Sequence, residues 1–295
     1  MISREMQPYT REPRMGVGTV GKQGLVRLCF ERDGERSILR HLERRTPLIV
    51  QQALYFDPEW AELPCVYILS SGGPNVDGDR YEQHFTLGED AFAHISTGAA
   101  TKIAPMQYNY SALRQSIRLE AGAYLEYLPE PVIPCRGSRF LSQTTITISP
   151  TATLLYAETY LCGRLHSGER FDYDILSIGV SARREDGRRL FVDKMIVRPD
   201  KDHPSRLGRM AEYEVIANVL VLTSERNFMQ IYSACEPVFG VDLVAAATLL
   251  PNGCGLIYRV LGHESQTVKR HVRRFCSVVR LTVKGRAMAD DFPWR

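Results

Sequence analysis

Residues 72–87 read GGPNVDGDRYEQHFTL: a glycine-rich turn, then Tyr81, Gln83, Phe85 and Leu87 alternating with Glu82, His84 and Thr86. A period of two is the signature of a strand with one buried face. Gly72, Gly73 and Gly78 supply positive φ for the turn, and Asp77 and Asp79 supply side-chain caps. Similar text lies on both sides. Upstream, Val26, Leu28 and Phe30 alternate with Arg27, Cys29 and Glu31, the hairpin-type turn Asp33-Gly34 follows, and short β-rich runs stand at 48–55 and 65–69. Downstream come runs at 91–95, 116–119, 124–128, 144–148 and 154–161. Turn signals return about every ten residues, which predicts a mostly β domain.

The C-terminal half mixes element types. Runs at 173–182 and 189–197 flank a second hairpin signal, Asp186-Gly187, and 213–222 is apolar and Val-rich, as a buried strand would be. Strand-like runs at 241–250 and 255–261 flank Pro251-Asn252-Gly253. Two helices are expected. Thr223-Ser224 precedes a helical face of Phe228, Ile231 and Tyr232. The clearer helix covers 265–283, with Ser265 as N-cap and Val268, Val272, Phe275, Val279 and Val283 in one apolar stripe. Arg270, Arg273, Arg274 and Arg280 are placed off that stripe, either as a solvated face or as a basic docking face for an acidic partner. Residues 1–23 read as a flexible N-terminal arm and 24–295 as one domain.

The chain has 295 residues, long enough for a sizeable core, with 37 basic and 34 acidic groups. A net charge of +3 does not suggest a general nucleic-acid or membrane binder. Of the basic residues 31 are Arg and 6 are Lys, a bias that suits protein contacts and equally fits a compositional bias of the source genome. The seven cysteines include no CxxC pair, so a local zinc or thioredoxin motif is excluded. No apolar run reaches the ~18 residues of a membrane span, and the first residues lack the apolar segment of a signal peptide. A reduced, cytoplasmic protein is expected.

Local chemistry is sparse. Gly16 to Gly21 matches G-x-G-x-x-G, but no strand precedes it and no helix follows, so a dinucleotide site is not expected. Asn75, Asp77 and Asp79 begin like an EF-hand loop, yet Arg80 and Thr86 stand where Gly and Glu are required. His84 and His94 fall on neighbouring expected strands and could meet, with His166 joining from elsewhere. Asp79 with Glu169, or Glu158 with Glu169, could form a carboxylate pair for glycosidic chemistry.

A longer pattern is more specific. It runs from Ser70-Ser71-Gly72-Gly73 through Gly78-Asp79-Arg80 to Ser96-Thr97-Gly98-Ala99-Ala100-Thr101-Lys102-Ile103. It continues with Tyr127-Leu128-Pro129-Glu130-Pro131, Gly163-Arg164, Gly168-Glu169-Arg170-Phe171 and the run from Gly255 to Gly262. In order and spacing this resembles the UreD/UreH family of urease accessory proteins. Ser71, Pro74, Gly98 and Ala104-Pro105 depart from the family pattern and leave the local path near 98 and 105 open.

The resemblance implies a layered, coiled, β-helix-like sheet fold and a non-enzymatic role. Its implied partners are the urease apoenzyme, a second urease accessory protein and a urease-associated GTPase. No tightly bound cofactor is implied; nickel is cargo, in transit through an internal tunnel toward the dinickel centre. The resemblance places Asp79, Thr101, Lys102, Glu158 and Glu169 along that path, and Gly72, Gly73, Gly78, Gly163 and Arg164 in structural motifs. Loosely held oxygen donors suit an ion that must be released. Arg273 and Arg274 are the candidate partner contact. The rival expectations are a β-sheet hydrolase using Asp79 and Glu169, and a plain interaction module that never meets nickel.

Overall fold

A computed structural model describes residues 3–10, 21–201, 203–205 and 210–289. Its first strands are β1 (Gln23–Asp33), β2 (Arg36–Arg45), β3 (Leu48–Ile49), β4 (Cys65–Ser70), β5 (Arg80–Leu87) and β6 (Phe92–Thr97). The middle of the chain forms β7 (Thr101–Ile103), β8 (Ser111–Leu119), β9 (Tyr124–Tyr127), β10 (Val132–Pro134), β11 (Arg139–Ile148) and β12 (Thr153–Leu161). The last third forms β13 (Ile175–Arg183), β14 (Arg189–Val197), β15 (Val215–Leu222), β16 (Val238–Phe239), β17 (Leu243–Leu249) and β18 (Gly255–Gly262). Two α-helices lie among them, α1 (Glu225–Ala234) and α2 (Ser265–Lys284).

The strands make two sheets. The first has the order β14-β13-β11-β8-β5-β1-β2; the second runs β16-β17-β18-β15-β12-β9-β6-β4-β3, with β7 and β10 off that path. Strands β1, β5, β8, β11 and β13 pair in parallel, as do β4, β6, β9 and β12. Parallel neighbours need a crossover. Here each crossover is a strand of the opposite sheet: the chain steps from β4 to β5, back to β6, over to β8, and onward in the same way to β13. The short parallel pair β7 and β10 joins the second sheet through the pairing of β10 with β12. The result is a layered coil of β-strands, as the resemblance implied.

The period-two reading holds in detail on β5. Tyr81, Gln83, Phe85 and Leu87 are buried, while Glu82 is exposed and His84 and Thr86 are half-buried. The inward residues of both sheets pack together, Leu28, Phe30 and Phe85 against Ile95, Leu125 and Tyr127 among others. The outer face of the second sheet is covered by the helices, with Val219, Val221, Tyr258 and Val260 meeting Ile231, Val272, Phe275 and Val279. Burial on both faces explains why β15 is nearly all apolar.

Four expectations differ from the structure. Part of the stretch read as a flexible arm is docked: residues Arg4–Tyr9 form a 3-10 turn whose Met6 is fully buried beside Tyr110, Leu141 and Ile175. Glu5 accepts a hydrogen bond from Ser177 Oγ at 2.7 Å and pairs with Lys194 at 2.5 Å, so one apolar knob and one carboxylate hold the segment. Residues 11–20, with most of the G-x-G-x-x-G match, lie outside the described residues. Of 48–55, only Leu48–Ile49 forms a strand, and Leu54 bridges to Cys65. Glu264, not Ser265, occupies the N-cap of α2, with no side-chain cap bond. Finally, Arg280 is not on a solvated face; it is fully buried. A strap carrying Asp57 and Trp60 crosses that end of α2, and Arg280 pairs with Asp57 and with Glu126 at 2.5 and 2.7 Å. Among the described residues, no helix is long and apolar enough to cross a membrane.

Candidate functional site

The parallel register stacks like positions on successive turns of the coil. Gln83 on β5 stands beside Gln115 on β8, and Gln115 beside Thr144 on β11. These inward positions are polar. Gln115 Nε2 donates to Gln83 Oε1 at 2.8 Å, and Thr144 Oγ1 donates to Gln115 Oε1 at 2.9 Å. From the facing sheet, Tyr156 OH lies 3.0 Å from Gln115 Oε1 and donates to Glu158 Oε1 at 2.7 Å. A hydrogen-bonded polar wall thus replaces apolar contact between the sheets.

Beside this wall the sheets part around a cavity of about 490 Å³. Its inner lining includes Tyr81, Gln83, Gln115, Tyr127, Ser142, Glu158 and Tyr160. Its mouth carries Gly73, Pro74, Thr97 to Lys102 and Glu130, several of them exposed. The mouth is braced: the Glu130 N–H donates to Thr97 Oγ1 at 2.8 Å, and the Lys269 ammonium of α2 pairs with Glu130 at 2.7 Å. A second, smaller cavity of about 30 Å³ is lined by Tyr156, Glu158, Asp193, Met195 and Asn218, among others. Glu158 belongs to both walls.

Burial is the main influence on Glu158 and pushes its carboxyl up to about 7, with the Asp193 charge acting the same way. Hydrogen bonds from Tyr156 and Tyr160 oppose the rise. Burial also holds both phenols well above their ordinary pKa, so they remain neutral donors. Among the described residues no three His, Cys, Asp or Glu side chains gather as a metal cage. The arrangement offers oxygen atoms, one of them on a buried carboxylate, beside an open water-sized space.

The comparisons with known proteins decide the family. The family model described as UreD urease accessory protein matches residues 22–295. A urease accessory protein UreD 2 of Brucella suis biovar 1 is 42% identical over 297 residues, covering 99% of this chain and 98% of the relative. Urease accessory protein UreD of Photorhabdus laumondii is 39% identical, covering 96% of this chain and 89% of the relative. That of Yersinia pseudotuberculosis is 39% identical, covering 99% and 92%. The chain belongs to the UreD family of urease accessory proteins.

In this UreD-family chain the site residues named from sequence divide into two groups. Thr101, Lys102 and Glu158 share the large cavity. Asp79 and Glu169 are not among its lining residues, and each has its oxygens engaged elsewhere. Asp79 accepts from the backbone N–H of Lys22 and of Val76, both at 2.9 Å, and from Tyr81 OH at 3.0 Å, and the Lys22 ammonium lies 3.1 Å away. It ties the glycine turn to the start of β1. Glu169 accepts from the Arg136 N–H at 3.1 Å and from Arg164 Nε at 2.9 Å, with a second Arg164 nitrogen in contact. Arg164 holds its carboxyl down to about 2.

The motif glycines have mechanical reasons. Gly73 and Gly78 have φ of +67° and +78°. A Cβ at Gly72 would lie 2.8 Å from Pro47 Cβ, and one at Gly163 would lie 2.5 Å from the Glu169 carbonyl oxygen. Asp77 caps not its own glycine turn, as expected, but the backbone N–H groups of Gln107, Tyr108 and Asn109 in the loop before β8. His84 and His94 do not meet, because β5 and β6 belong to different sheets; His94 Nδ1 lies 2.8 Å from Glu126 Oε2 instead. Arg273 is half-buried and Arg274 exposed on α2, over the second sheet's outer face. Sequence reasoning missed Gln115, Tyr156 and Tyr160. The available signal was polar residues at inward positions of otherwise apolar strands.

Proposed function

We propose that this protein is a non-catalytic, cytoplasmic scaffold. It binds apo-urease, recruits a second accessory protein and a GTPase, and lets nickel pass through its interior toward the dinickel centre. The observation that supports this reading most is the cavity inside a urease accessory protein: an open space whose largely apolar wall, with Leu48, Ile68, Leu113, Val132 and Phe140, is interrupted by amide and hydroxyl oxygens and by the buried Glu158 carboxyl, with Lys102 and Glu130 at its mouth. Such donors bind a borderline divalent ion weakly enough to release it. The chemistry of the other carboxylates argues against a hydrolase. A general acid needs a raised pKa, whereas Arg164 pins Glu169 in its ionised form, and Asp79 is consumed in capping a turn.

Reconstitution tests the proposal. Apo-urease, nickel, bicarbonate, GTP, the GTPase and the second accessory protein are combined with or without this chain, and urease activity and nickel per active site are read. Activation is expected to need the chain and to fall severalfold when Ala100→Trp plugs the cavity mouth, with pull-down of the partners unchanged. Full activation by the plugged variant would refute passage through the interior.

A further inference from the structure

Among the described residues, the two most exposed large apolar side chains stand at one turn. Phe239 and Val241 are 87% and 86% exposed, whereas the next, Val192, is 59% exposed. They belong to Glu236-Pro237-Val238-Phe239-Gly240-Val241-Asp242, which carries β16 and the turn into β17 at the edge of the second sheet. Single exposed apolar residues are ordinary, but these two are held in place. Phe239 pairs with Val244 in antiparallel register. The Gly240 N–H donates to the Leu243 carbonyl at 2.9 Å, and a Cβ at Gly240 would lie 3.1 Å from that oxygen. Two further segments brace the turn. Tyr213 OH donates to the Gly240 carbonyl at 3.4 Å, and the His263 N–H donates to the Asp242 carbonyl at 3.2 Å. Apolar side chains on a braced hairpin lose little freedom when they are covered, which favours their use in binding.

The braces also define the surroundings. Glu212 and Glu264 are the chain neighbours of Tyr213 and His263, and Glu236 and Asp242 bound the hairpin itself; all four are exposed. Arg170 reaches the same end of the sheet, where it is balanced by Glu214 at 3.6 Å. A chain of net charge +3 thus presents its barest apolar side chains inside an acidic collar. That combination argues against two common uses of such a tip. An anionic lipid surface and a phosphate backbone would both be repelled by the collar. Resting on the scaffold reading above, though not on the passage of nickel, we infer that the 236–242 hairpin is a protein-docking anchor whose partner presents an apolar pocket rimmed by Lys or Arg. Phe239 and Val241 supply the desolvated centre of the contact, and the collar steers the approach and fixes the orientation.

The test uses the full chain and the three partners of the scaffold reading, apo-urease, the second accessory protein and the GTPase, with the affinity for each measured separately. Phe239→Asp is expected to weaken at least one of these complexes about tenfold or more, the scale of a central aromatic contact. Its unfolding temperature should match the wild type, because the side chain it replaces faces solvent; Phe239→Ala serves if it does not. The wild-type affinity for that partner should fall as salt is added, and the double variant Asp242→Lys with Glu264→Lys should bind more weakly and lose most of the salt dependence. If both Phe239 variants bind every partner as tightly as the wild type, the anchor falls and the scaffold reading stands. If the wild type binds none of the three, both fall. Tighter binding by the charge-reversed variant would overturn the basic rim. A wild-type dimer that Phe239→Asp converts to a monomer in light scattering would assign the hairpin to a second copy of this chain and overturn the choice of partner.

Discussion

At the scale of single residues, the Gly163-Arg164 and Gly168-Glu169 motifs form one clasp. Gly163, at φ +155°, lets the Glu169 backbone approach to a distance that a methyl group would forbid. Phe171 N–H then donates to the Cys162 carbonyl at 2.7 Å, and Arg164 closes over the Glu169 carboxylate. Gly163→Ala should cost about 1–3 kcal/mol, because the clash is with backbone and cannot be relieved by rotating a side chain; urea unfolding measures it. The Glu169 carboxyl titrates at about 2 in the fold against an ordinary 4.5. A depressed acid contributes stability that is complete above its unfolded pKa and is lost as the pH falls through the folded one. Stability should therefore decline between about pH 4.5 and 2, and Glu169→Gln should flatten that limb. Arg164 is half-exposed, so added salt should weaken the effect. An acid limb identical in Glu169→Gln would assign the decline to other carboxylates.

At the scale of elements, α2 is held by an apolar stripe along its length and by a buried ionic contact near its end. Arg280 is enclosed by Glu126 of β9, Asp57 of the strap and the ring of Trp60. Removing one partner of a buried pair leaves the others charged and desolvated, a loss of about 3–5 kcal/mol. Arg280→Met should lose stability on that scale in chemical denaturation, and adding Glu126→Gln should recover part of it; independent, additive losses would mean that the two groups do not compensate each other. This contact also marks a limit of what the sequence reveals. The stripe Val268, Val272, Phe275, Val279 and Val283 was legible because its period is local. The burial of Arg280 was not, because Glu126 and Asp57 lie 154 and 223 positions away in the chain. Likewise β5 was legible from alternation, whereas β2 was not. Its text, RSILRHLERR, is charged on both faces, as suits an edge strand that must discourage further pairing.

At the scale of the whole molecule, the coil explains why a cavity exists at all. Successive turns stack in parallel register, so one inward position repeats from strand to strand as a ladder. Where the ladder reads Phe85, Ile117 and Ile146, the sheets pack; where it reads Gln83, Gln115 and Thr144, they are joined by hydrogen bonds, and the cavity opens beside that row. The polar ladder was visible in the sequence only as isolated residues, since nothing local announces which strands will be neighbours. An open interior forgoes apolar burial and contact with neighbouring atoms, so filling it need not destabilise the fold. Ser142→Leu places a larger apolar side chain on the cavity wall without touching the outer surfaces, since Ser142 is 2% exposed. Thermal unfolding should shift little, the added apolar contact offsetting the hydrogen bond that Ser142 makes with the buried Tyr160, and partner pull-down should be unchanged. Urease activation in the reconstituted system should fall severalfold, because the filled space is the one that nickel is proposed to cross. A scaffold working through its surface alone would activate urease as well with Leu at this position as with Ser, and that result would remove the interior from the mechanism.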